Sequence, residues 1–187
     1  MTPNRLKGKT ETPSNSAIAG AGSASSILDE SPLVGNYFED DAPTPEEIAS
    51  MTWQSIAGGA NGFVYFRYHQ LRERESKSGA KWWKDIWPGV CAAARDVKRF
   101  EQVILGESGQ SVSDAPTDLA VRSWKGDGAD WFLFVNATTN RLSCDVSLAD
   151  ASGAWKTELG LAASVKPVAR GLSLDLQPLA VTLAVRR

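Results

Sequence analysis

The sequence predicts a short α/β unit followed by an all-β antiparallel region. Three observations carry that reading. A capped helical pattern occupies residues 45–58, an aromatic and β-branched run follows it at once, and from Leu119 onward the apolar period changes from helical to alternating.

The helix is the best-marked element. Thr44 suits the N-cap, Pro45 fits the first helical position, and Glu47 completes a Thr-x-x-Glu capping box. Ile48, Met51, Ser55/Ile56 and Gly59 recur at helical spacing, and Gly58-Gly59 provide a stop. Gly62-Phe63-Val64-Tyr65-Phe66 then reads as a buried strand over about 62–68. Residues 69–87 (HQLRERESKSGAKWWKDIW) form a long polar connection. A second helix is expected over 88–105, opened by Pro88 and burying Val90, Ala93/Ala94, Val97, Phe100/Glu101 and Ile104, with Gly106 at its end.

Beyond it, seven short runs alternate: LAVRSW, DWFLFVN, RLSCDVSL, AWKTEL, ASVKPVA, GLSLDL and PLAVTLAVR. Turn signals such as Lys125-Gly126-Asp127-Gly128 and Asp150-Ala151-Ser152-Gly153 separate them, as in an antiparallel sandwich. Residues 1–31 are rich in Ser, Ala, Gly and Thr and hold too few large apolar groups to offset their ordering entropy, so disorder is expected there. The resulting division is 1–31 disordered, 32–106 α/β, 107–118 linker and 119–187 β-sandwich.

Composition narrows the functions. A formal net charge of −2 leaves no electrostatic footprint for nucleic acid, and no apolar run approaches the length of a membrane span. The N-terminus lacks the order of a signal peptide, although a secreted or periplasmic location stays open if the native chain begins upstream. Cys91 and Cys144 fall in different units, so they read as two buried thiols.

The segment PTPEEIASMTWQSIAGGANGFVYF, then Trp87-Pro88, FLFVNAT (Phe132 to Thr138) and the closing PLAVTLAV resemble the C-terminal part of TIM-barrel glycoside hydrolases of the β-galactosidase-like and cellulase-like group. The resemblance spans residues 43–187. It implies an α/β barrel remnant (helix 7, strand 8, helix 8) followed by an all-β antiparallel sandwich. The function implied is that of a C-terminal fragment that completes and braces a catalytic barrel acting on carbohydrate, not catalytic alone. The implied partners are carbohydrate and the missing N-terminal barrel portion. A complete barrel needs about 250 residues, more than this chain has. The runner-up is a non-catalytic β-sandwich module binding carbohydrate or protein, with the helices as a vestige.

Glycosidases place two carboxyl groups across the scissile bond. Glu39, in the acidic stretch Glu39-Asp40-Asp41, is the one candidate nucleophile, set against a plain acidic loop before a helix. Tyr65 and Arg67 alternate with Val64 and Phe66. If Val64 and Phe66 pack on helices, Tyr65 and Arg67 face the barrel mouth, where Arg67 either grips substrate or makes a structural ion pair. His69 is the single histidine, either a substrate contact or a surface hydrogen-bonding residue. Trp82 and Trp83 are either a sugar-stacking platform or two packing anchors. No residues stand at metal-ligand spacing and no cofactor is implied. Asn136-Ala137-Thr138 matches the N-glycosylation sequon, with a structural turn as the simpler reading.

Overall fold

The computed structural model describes residues 43–65, 82–160 and 163–187. The expected 1–31 segment, Glu39, Arg67 and His69 lie outside the described residues.

Among the described residues three helices precede nine strands. Helix α1 is Pro45–Gly58, α2 is Trp82–Arg99 and α3 is Glu101–Ile104. The strands are β1 (Glu107–Ser108), β2 (Val112–Ser113), β3 (Leu119–Gly126), β4 (Ala129–Asn136), β5 (Leu142–Leu148), β6 (Trp155–Leu159), β7 (Ser164–Val168), β8 (Gly171–Leu176) and β9 (Val181–Arg186). They form a five-stranded sheet, β1-β3-β4-β9-β6, and a four-stranded sheet, β2-β5-β8-β7, with every pairing antiparallel. Residues 107–118 contribute one edge strand to each sheet.

The layers follow from how β4 sorts its side chains. Trp131, Leu133 and Val135 point to one face, where they share a core with Trp53, Ile56, Phe100 and Val103 of the helical layer. Phe132 and Phe134 point to the other, against Val146, Leu148, Leu172, Leu174 and Leu176 of the four-stranded sheet. A strand covered on both faces reads as a continuous apolar run, and this one does. Phe132 to Val135 are all 0% exposed, and each such side chain contributes about 1.5–3 kcal/mol by burial.

Two particulars fasten the helices. In α1, Glu47 N–H donates to Thr44 Oγ1 (3.2 Å) and Thr44 N–H to Glu47 Oε2 (2.7 Å), closing the capping box. Gly59, at φ 109°, ends the helix in the left-handed region that glycine adopts without strain. Ile48 packs on Ile86, Val90 and Ala93 of α2. The helices approach so closely that a Cβ on Gly89 would lie 2.9 Å from Cα of Pro45. An aromatic chain runs from α1 to the sheet: Trp53 meets Phe100 edge-on (6.3 Å between centroids), and Phe100 meets Trp131 (6.0 Å).

This architecture corrects the expected one. There is no α/β barrel remnant followed by a closed sandwich; the described residues form two open sheets with helices layered on one of them. The expected strand at 62–68 is absent from its described part, where residues 61–65 pair with no strand among the described residues. The face assignment there also reverses: Val64 is 61% exposed, while Phe63 and Tyr65 pack inward on the helices. A period of two shows that alternate residues differ in environment but does not say which set is buried.

The second helix begins earlier than Pro88. Residues 82–87, expected in a polar connection, are helical, and Pro88 lies inside α2. Proline there removes one backbone donor. Ile86 on one side of it and Val90 and Ala93 on the other still share one apolar stripe against α1, and that packing carries the helix through.

Candidate functional site

The segment 61–65 lies across the ends of α2 and α3 and leaves a groove of about 340 Å³ beside it. Phe63, Ala94, Val97, Ile104 and Leu105 supply its apolar walls, and Tyr65 closes one end. Lys98 and Glu101 pair with each other at the rim, where their side chains are 75% and 40% exposed. An ion pair so exposed contributes little and is readily exchanged for other partners.

Local chemistry sets the groove. The left-handed cap at Gly59 turns the chain off the axis of α1, so Asn61 to Tyr65 run back over the helical layer. Tyr65 is then held by its phenol, 2.8 Å from Thr52 Oγ1. Thr52 commits its own proton to the Ile48 carbonyl (2.7 Å), so Tyr65 is the donor in the first bond. Burial raises the Tyr65 pKa above the usual tyrosine value, and it remains a neutral phenol at physiological pH.

Of the residues singled out from the sequence, Tyr65 is the one seen at this site. Trp82 and Trp83 begin α2 by backbone, but their side chains lie outside the described residues. Phe63, Leu105 and Ala94 were not anticipated as site residues. Phe63 read as strand interior, and Ala94 read as buried but is exposed. The available signal was Ile104-Leu105, two adjacent large apolar residues at a helix end, which cannot both face one core.

Elsewhere, Arg186 pairs with Asp130 and Asp150 and ties the 149–154 loop to β4 and β9. It is 14% exposed and fully engaged, which makes it a brace. Cys91 and Cys144 are free, half-buried thiols rather than fully buried ones. Among the described residues no three His, Cys, Asp or Glu gather as metal ligands do, and no helix is long and apolar enough to cross a membrane.

The class defined by fold and site is thus an open two-sheet domain with a helical layer that carries an apolar groove. No protein-family model matches the chain, and no curated protein matches it. The expected kinship with TIM-barrel glycoside hydrolases is corrected accordingly. No barrel closes among the described residues, no such family is matched, and the reading as a hydrolase fragment in carbohydrate metabolism is withdrawn. Of the runner-up, the view of the helices as a vestige is corrected: Trp53 and Ile56 share one core with β4 and β9.

Proposed function

We propose that this domain is a protein-docking module whose helical layer receives an amphipathic segment of a partner protein. The observation that carries the reading is a clustering. Three large hydrophobic residues are strongly exposed among the described residues: Leu105 lines this groove, and Val64 lies between its lining residues Phe63 and Tyr65. Scattered exposed apolar residues are ordinary, whereas apolar groups gathered around a concavity with a polar rim mark an interaction site.

The size and lining favour a side-chain anchor. A volume of about 340 Å³ is at the small end for ligand pockets and suits one or two large side chains. Mainly apolar walls offer few of the hydrogen bonds that a sugar's hydroxyls need, and Lys98 and Glu101 could re-pair with one acid and one base flanking the anchor.

The test uses a helical peptide with Leu at i, i+3 and i+4, followed by fluorescence anisotropy, and a cello-oligosaccharide, followed by calorimetry. Ala94→Arg fills the groove from an exposed wall position. The expected result is peptide binding weakened at least about tenfold by Ala94→Arg, or about 1.4 kcal/mol, with an unchanged circular dichroism spectrum. Peptide binding indifferent to Ala94→Arg would overturn the reading. So would oligosaccharide binding that Ala94→Arg abolishes, which would make the groove a carbohydrate site.

A further inference from the structure

The sequon Asn136-Ala137-Thr138 begins at the last residue of β4, outside the lining of the helical groove, and its hydrogen bonds are fully committed. Asn136 is 0% exposed. Its Nδ2 donates to the Asn140 carbonyl (2.7 Å) and the Gln177 carbonyl (2.9 Å), which uses both of its hydrogens. Its Oδ1 accepts from Thr138 N–H (3.0 Å) and from Thr138 Oγ1 (2.9 Å). The backbone is held as firmly. Asn136 N–H donates to Ala180 O, Ala137 N–H to Asp118 O, and Thr138 O accepts from Leu179 N–H, each at 2.9 Å.

N-glycosylation would act on that same Nδ2. The nitrogen attacks the anomeric carbon of a polyisoprenyl-diphosphate-linked oligosaccharide. A C–N bond forms, the C–O bond to the diphosphate breaks, the diphosphate leaves with the electron pair, and one Nδ2 proton is lost to base. In the folded chain that proton belongs to a bond with Asn140 or Gln177, and there is no room for a sugar. The residues that close over the site, 177–180, are synthesised after Asn136 and some 41 positions or more beyond it.

We infer that Asn136 is a conditional acceptor, open to glycosylation in the unfolded chain and shut once the 177–180 turn docks. A glycan placed there first keeps that turn from docking. The sequon therefore distinguishes folded from unfolded copies of this protein.

A second turn in the same molecule provides the control. At Asp150-Ala151-Ser152 the side chain of Asp150 accepts from Ser152 N–H (2.9 Å) and Ser152 Oγ (2.6 Å), as Asn136 accepts from Thr138, but Asp150 is exposed. Asp150→Asn places a sequon on that open turn. The folded full-length wild type, Asp150→Asn, and a destabilised Phe132→Ala chain are incubated with an oligosaccharyltransferase and its lipid-linked donor, and peptides are mapped by mass.

The expected result is no modification of Asn136 in the wild type while residue 150 is converted in Asp150→Asn. Phe132→Ala should gain modification at Asn136. Conversion of Asn136 in the wild type, with its circular dichroism spectrum retained, would overturn the inference. Failure of Phe132→Ala to accept at Asn136 would overturn it also, whatever happens at residue 150.

Discussion

Two runs in this molecule have nearly the same chemistry and opposite fates. Trp131-Phe132-Leu133-Phe134-Val135 is the centre of the five-stranded sheet, and its last four residues are wholly buried. Phe63-Val64-Tyr65 has the same aromatic and β-branched character, yet it forms no strand, and Val64 is 61% exposed. The difference lies in the neighbours. The β4 run has β3 on one side and β9 on the other, so its peptide groups are satisfied and both faces are covered. Residues 61–65 follow a helix cap, pair with no strand among the described residues, and pack against the helical layer through Phe63 and Tyr65. Strand character is therefore a property of pairing more than of composition.

The comparison is broken most severely in β4. Phe132→Ala and Phe134→Ala are each expected to cost about 3–5 kcal/mol, read as a lower urea midpoint. A loss under about 1 kcal/mol at either position would mean that the inter-sheet core is loose. Asn136→Ala comes next, at roughly 2–3 kcal/mol, because it leaves the Asn140 and Gln177 carbonyls without their donor. Hydrogen exchange should then show the 177–180 turn opening before β9.

In the other run the effects shrink. Tyr65→Phe removes one hydrogen bond to Thr52 and should cost about 1 kcal/mol, while Val64→Ser should stay within about 0.5 kcal/mol. A stability loss from Val64→Ser as large as that from Phe132→Ala would restore a buried strand at 62–65.

The smallest effect is electrostatic and lies on the outer face of the second sheet. Arg141, Ser143 and Asp175 form a hydrogen-bonded group there. The Arg141 guanidinium lowers the Asp175 carboxyl from 3.8 to about 2. The folded value is depressed, so its small contribution is present above the ordinary carboxylate value and is lost as pH falls through about 2. In Arg141→Gln, carbon-detected NMR should find the Asp175 midpoint moved up towards 3.8. An unmoved midpoint would remove Arg141 as the cause.

How much could be read in advance varied with how local the signal was. The α1 helix was legible to the residue, since Thr44, Pro45, Glu47 and Gly59 act through bonds within a few positions of each other. Seven strands fall in the short segments between turn signals, where most alternate and β4 is a continuous apolar run, because turn residues and β-branched or aromatic stretches act locally. The start of α2 was missed, since Pro88 is a strong local signal and the stripe Ile86, Val90, Ala93 that overrides it depends on Ile48, about 40 positions earlier. The groove was missed for the same kind of reason. Phe63, Ala94 and Leu105 belong to three separate patterns and meet only after the chain has folded.

The sequence by itself determined where the chain turns, where its first helix is capped and which stretches alternate, all consequences of local sterics and hydrogen bonding. Only the tertiary structure decided that two sheets stay open, that the helices cover one of them, and that GFVY and WFLFV part company. Those outcomes depend on which distant segment supplies the missing hydrogen bonds and the opposing apolar face, and no window of neighbouring residues contains that information.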